Sequence, residues 1–282
     1  MNNLINVASQ VSINALLATG MTFVILTGGI DLSVGSVAAL SGILITMFIK
    51  TINGPSIVTV ILTAIIGSLV IGGICGVFLG AMVAWFKVAP FIAALAMLSI
   101  ARGCAYVLTN SRPIFDLPDN YGWIGQGYVG PIPVIVIFMA VVMIIAYIVL
   151  SKTCYGRYIY AVGSNSEMAA LNGVSVNKII LSVYVICSVL AALGGVCLSS
   201  RIGTGQPSAA NGYELDAIAA VVMGGTSLNG GSGSIVKTLL GVLTIGIINN
   251  GLSLLRVSSY VQQITMGIII LIAVIVDQIK KR

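Results

Sequence analysis

Ser151 to Lys178, SKTCYGRYIYAVGSNSEMAALNGVSVNK, is a polar connector between two apolar runs that are each long enough to cross a bilayer. It gathers Lys152, Arg157, Glu167 and Lys178 in a chain that is only 7% charged. Within it, Ser164-Asn165-Ser166-Glu167 reads as a capping box, in which the Ser164 hydroxyl takes a backbone N–H and Glu167 reaches back to the cap. Gly173 then offers the left-handed position that ends a helix. The helix between them is about two turns long, well short of the ~12 to 15 residues that an isolated helix needs in water, so something outside it must hold it in shape. Met168 and Leu171 lie three apart on one exposed face, and Ala169 and Ala170 are small enough to admit a partner's backbone. The pattern alone fits a docking helix or a solvated loop equally well.

Around this connector the composition is that of an integral membrane protein. The chain is 58% hydrophobic, has no histidine and has a mean hydropathy of +1.12, so it lacks the polar surface a soluble domain needs. The net charge of +6 comes from basic residues scattered at the ends of apolar runs, a membrane-topology pattern rather than a nucleic-acid patch. Cys75, Cys104, Cys187 and Cys197 sit in apolar segments and Cys154 in the connector, at spacings that match no metal site.

Apolar runs near 4–28, 34–50, 57–86, 88–108, 132–150, 179–199, 213–229, 235–255 and 259–278 predict nine crossings of an all-α polytopic bundle, treated as a single transmembrane domain over residues 1–282. Placing the terminal Lys280, Lys281 and Arg282 in the cytoplasm puts Lys87, Lys152, Arg157, Lys178 and Lys237 there as well. Lys50, Arg102, Arg112, Arg201 and Arg256 then fall outside, with Asp116 and Asp119 in the outer 109–131 loop. An odd number of crossings forces the N-terminus outside, although MNNLINVASQ carries no translocation signal. Either a span ahead of the chain is missing, or one of the nine is re-entrant, 213–229 with its two acids being the first candidate. The turns Gly28 to Ser36 and Gly224 to Gly231 resemble each other and fall on the same side, which is the mark of a parallel internal repeat.

Few residues offer chemistry. Ser68, Gly72, Gly76, Gly80 and Ala84 repeat every four residues, a face on which another helix packs backbone to backbone. Asp31 sits at a turn where it can cap the next helix, or else line a polar cavity. Glu214 and Asp216 occupy a first helical turn; with Gln206 they form a candidate path for a polyhydroxylated solute. Asn249 and Asn250 interrupt an apolar run and either bind a neighbouring helix or point into that path. Gly125 to Gly130 fits G-x-G-x-x-G but follows no strand and runs into prolines, and Lys237-Thr238 lacks the preceding glycine of a phosphate-binding loop. No ATP site, catalytic group, cofactor or metal is expected.

Taken together, GGIDLSVGS (28–36), GRYIYAVGSN (156–165), NGVSVNKI (172–179) and YELDAIAAVVMGGTSLNG (213–230) closely resemble the permease subunit of ribose-type sugar ABC importers, a family with members for xylose, arabinose, galactose and autoinducer-2. The resemblance covers essentially the whole chain. It implies a ten-span bundle in the bacterial plasma (inner) membrane, its first span lying ahead of Asn2. It also implies three partners: a second permease copy in a homodimer, a cytoplasmic sugar-import ATPase and an extracytoplasmic sugar-binding protein. In such a family the 151–178 connector is the ATPase-coupling loop, with Arg157, Gly163, Asn165, Glu167, Met168, Leu171 and Gly173 around its short helix. The implied activity is passage of ribose or a related monosaccharide with no bond chemistry. The alternative is an ion-coupled secondary transporter, for which Asp31 is the candidate acid.

Overall fold

The computed structural model of the chain describes residues 2–279. Its helices are α1 (Asn2–Leu26), α2 (Val34–Lys50), α3 (Ile57–Ala84), α4 (Pro90–Thr109), the short α5 (Trp123–Gln126), α6 (Val134–Lys152), α7 (Cys154–Ser164), α8 (Ser166–Leu171), α9 (Val176–Ile202), α10 (Tyr213–Met223), α11 (Ile235–Leu254) and α12 (Ser259–Ile279). A two-residue hairpin, β1 (Tyr128–Val129) with β2 (Ile132–Pro133), leads into α6. Among the described residues six helices, α1, α3, α4, α6, α9 and α11, are long and apolar enough to cross a membrane, and α2 and α12 add shorter apolar ones. The fold is the polytopic helical bundle that the hydropathy predicts, and the long run 57–86 is one helix rather than two.

The bundle is built around α9. The small-residue face of α3 lies antiparallel against it: a Cβ added at Gly72 would stand 2.5 Å from Val189 Cα, one at Gly76 2.6 Å from Val185 Cα, and one at Gly80 3.1 Å from Leu181 Cα. Such contacts let two backbones approach where lipid supplies no hydrophobic drive for helices to associate. On other faces of α9, α1 runs antiparallel, where a Cβ added at Gly20 would stand 2.9 Å from Cys187 Cα, and α2 runs parallel, where one added at Gly195 would overlap the Ala38 carbonyl. Ser41 Oγ donates to the Ala192 carbonyl at 2.7 Å, so a hydroxyl that lipid could not satisfy is paired across that seam. The turn joining α1 to α2 packs beside Tyr184, where Asp31 is fully buried and accepts from the backbone N–H and hydroxyl of Ser33 at 2.8 and 2.6 Å. Asp31 therefore orders the turn into α2.

The segment expected as a span at 213–229 has a different build. Only Tyr213–Met223 is helical, about 16 Å of rise, which is half the hydrocarbon thickness. The other half of the passage is the irregular stretch 203–212. It starts beyond the C-terminus of α9, where Gly205 bridges Ile114 and meets Thr46 near the end of α2. It descends along α2 until Ala210 and Glu214 reach Gly35 at that helix's start. Residues 203–223 thus traverse the bundle as a broken helix, and the re-entrant alternative does not describe them. Irregular backbone at such depth needs protein partners, and Arg102 on α4 supplies them by donating through Nη1 to the carbonyls of Pro207 and Ala209 at 2.8 and 2.7 Å.

The connector also holds more helix than its sequence suggests. Cys154–Ser164 forms α7, with the Thr153 hydroxyl capping Gly156 N at 3.1 Å. Ser164 is the last residue of α7 and donates to Tyr160 O, so the capping box at 164–167 is not formed. The N-cap of α8 is Asn165, whose Oδ1 accepts from Met168 N at 2.9 Å. At the other end Gly173 has φ +83°, with Val174 N to Ala169 O at 3.0 Å and Gly173 N to Ala170 O at 2.9 Å, the hydrogen-bond pair of a Schellman stop.

Candidate functional site

Two features stand at different levels of the bundle. At mid-depth, a cavity of about 490 Å³ is lined by residues 211–216, by Gln10 of α1, by Asn249 of α11 and by Gln262, Gln263, Met266, Gly267 and Ile270 of α12. The N-terminal turn of α10 forms one wall, so its first N–H groups and its two acids meet the space together. Glu214 Oε1 accepts from Gly212 N at 3.2 Å, while its Oε2 is buried with no hydrogen-bond partner among the described residues. Asn14 Oδ1, one helical turn from Gln10, is likewise buried without a partner. On the other side of Glu214 a smaller space of about 160 Å³ lies between Arg102, Tyr106, Ser208 and Asn211. Amide donors and carboxylate acceptors spaced through a roomy cleft can exchange hydrogen bonds with hydroxyl groups; they include no nucleophile with an adjacent base.

Among the path candidates read from sequence, Glu214, Asp216 and Asn249 share this cavity. Gln206 is exposed near the start of the descent and bonds Ser208, Asp31 is closed within its turn, and Asn250 is not among the lining residues. Sequence reading missed Gln10, Gln262, Gln263 and Arg102 as members of the site. The two adjacent glutamines of α12 were a usable signal, because amides in an apolar helix need partners; Arg102 gave none, since only the fold shows that loop 203–212 descends to it.

At the connector end, α8 presents Met168 at 55% and Leu171 at 81% exposure, while Ala169 is buried beneath them. Arg157, Asn165, Glu167 and Gly173 lie on the exposed side of α7 and α8. A cleft of about 430 Å³ opens beside α8, between Trp85 at the end of α3 and Ser175 to Lys178. Gly163 faces the other way: a Cβ there would overlap the carbonyl of Leu26 and lie 2.7 Å from Gly231 N. The connector is pinned to the bundle by Tyr155 OH with Ser182 Oγ at 2.6 Å and by Tyr160 OH donating to Gly233 O at 2.9 Å.

Residues 3–274 match the family model described as the branched-chain amino acid transport system / permease component. This chain belongs to that permease family. The permease is 46% identical to the ribose import permease protein of Escherichia coli (strain K12), over 99% of this chain and 87% of the relative. It is 48% identical to the ribose import permease protein of Bacillus subtilis (strain 168), over 99% and 85%. It is 37% identical to the D-allose transport system permease protein of E. coli K12, over 99% and 84%. No solved structure matches the permease. With its several apolar helices, the permease is a multi-pass protein of the bacterial inner membrane.

Proposed function

We propose that the permease is the channel-forming subunit of an ATP-driven ABC importer for ribose or a closely related monosaccharide. It works with a separate sugar-import ATPase and an extracytoplasmic sugar-binding protein, and makes or breaks no bonds itself. The observation that carries this reading is the mid-depth cavity with Gln10, Glu214, Asp216, Asn249, Gln262 and Gln263 on its walls, on a bundle otherwise coated with apolar side chains. Carboxylates at bilayer depth cost ~2.5 to 3.5 kcal/mol each on insertion scales, and they are retained where a polar solute passes. The relatives at 46% and 48% identity bear names that specify ribose, against the broader description of the family model, and this supports the sugar.

The same polar wall supports a homodimer. Gln263 lines the cavity from an exposed position on α12, and a polar group of this kind is sheltered from lipid when a second copy covers it. Orientation follows the basic residues: the connector end, with Lys87, Lys152, Arg157 and Lys178, and the C-terminus face the cytoplasm. The exposed Met168 and Leu171, next to the exposed Glu167 on the same short helix, then form the docking face for the ATPase. Glu167→Lys combined with Met168→Asp tests this. Loss of ATPase co-purification and of ATP-dependent [14C]ribose uptake is expected, and survival of both overturns the docking face.

A further inference from the structure

The docking face lies on α8, but the connector's deepest contacts are made by α7, and they converge on one turn of the bundle. Gly231 N donates to Leu26 O at 2.9 Å, and Gly163 fits over that same carbonyl so closely that no side chain could be added. Gly230, with φ +86°, brings its Cα within reach of Gly163 O and Gly28 N, where an added Cβ would sit at 2.8 and 2.9 Å. Two residues further along the turn, Tyr160 OH donates to Gly233 O. The end of α7 thus touches turn 224–234 at two separate points, a backbone stack around Gly163 and a hydrogen bond offset from it.

That turn carries α10 and α11, which are locked to each other: a Cβ at Gly241 would overlap the Ala220 carbonyl, and one at Gly224 would lie 2.5 Å from Lys237 O. The far end of α10 continues into the irregular descent 203–212, where the Glu214 side chain and the Ala210 carbonyl lie against Gly35 of α2, and the far end of α11 continues into the short link 255–258. Against α1 the hairpin rests on side chains, with Thr22 Oγ1 and Thr238 Oγ1 2.9 Å apart and Val11 against Gly246. The seams of α9 with α3, α1 and α2 are backbone contacts by contrast. Side-chain seams can slide by changing rotamers; close backbone seams cannot without separating the helices.

We propose that the α10–α11 hairpin swings as one body against a fixed block of α1, α2, α3 and α9, pivoting where Gly163, Leu26 and Gly231 stack, with Tyr160 as the positioning residue that turns it. A push on α8 would reach Gly233 through α7 and move Glu214 and Asp216 at the other end of α10, changing the cavity between them and α12. This deepens the transport reading and rests on it, because it says which part of the permease answers the ATPase.

The test pins the hairpin at its free half. An added Cβ at Gly246 lies 3.6 Å from Val11 Cβ, within the span of a disulfide, so Val11→Cys with Gly246→Cys, in a background with the five native cysteines replaced, should close on oxidation. In proteoliposomes carrying the whole importer with its ATPase and binding protein, oxidation is expected to cut ATP-driven [14C]ribose uptake at least tenfold, and reduction to restore it. Equal uptake by the oxidised and reduced forms overturns the hinge while leaving the transport reading intact; absence of uptake by the unsubstituted importer overturns both. A second, milder variant, Tyr160→Phe, is expected to lower the ribose carried per ATP hydrolysed several-fold with ATPase co-purification unchanged. An unchanged ratio counts against the hinge.

Discussion

At the scale of single residues, neighbouring glycines of one helix have opposite duties. A Cβ on Gly72 would meet the α9 backbone at 2.5 Å, whereas one on Gly73 would have nothing within 4 Å among the described residues. Gly72→Val should therefore destabilise the permease by about 1 to 3 kcal/mol through overpacking, read as a lower thermal midpoint in detergent. Gly73→Ala should leave the midpoint unchanged or raise it slightly, since alanine is the better helix former. Glu214 belongs to a different class, because its Oε2 is buried beside a cavity without a hydrogen-bond partner among the described residues. Glu214→Ala is expected to reduce ATP-driven ribose uptake about tenfold, the loss of one charged hydrogen bond of about 1.5 kcal/mol, while ATP hydrolysis by the assembled importer persists. Hydrolysis that falls in parallel with uptake would assign Glu214 to coupling instead of the path.

Among the elements, α8 is the smallest with a distinct task. Six residues cannot hold a helix in water, so its shape depends on the Asn165 cap, the Gly173 stop and burial of Ala169. Asn165→Ala removes the acceptor for Met168 N at a cost of ~1 kcal/mol and should weaken ATPase binding about fivefold in a titration; Asn165→Asp keeps an acceptor at the positive helix end and should bind normally. The sequence made the existence and end of this helix legible, through Gly173 and the polar run before it. It misassigned the cap because Ser164 and Asn165 are both good caps, and only the extension of α7 through Ser164 decides between them. α7 was not read from the sequence, and its Gly156 and Gly163 are needed there for contact with Leu150 O and Leu26 O. The continuous apolar helices were all visible from length alone. Passage 203–212 was not, because an irregular run of turns satisfied by Arg102 and loop 109–131 leaves no periodicity to read.

For the whole molecule, the arrangement predicts a sidedness and a stoichiometry. Ser166→Cys in a background with the native cysteines replaced should react with an impermeant maleimide only after cells are opened; labelling of intact cells would invert the permease and remove the docking face from the ATPase. Gln263→Cys, at an exposed residue of the cavity lining, should give a disulfide-linked pair of permeases in membranes, and monomer alone after oxidation would oppose the homodimer. The broken crossing also has a consequence for how the protein is made. Eleven helical residues bearing Glu214 and Asp216, preceded by bare backbone, are a poor substrate for insertion by themselves. When the nascent chain has emerged only as far as turn 224–234, this stretch should linger at the translocon, entering the bilayer after α11 has been synthesised to accompany it.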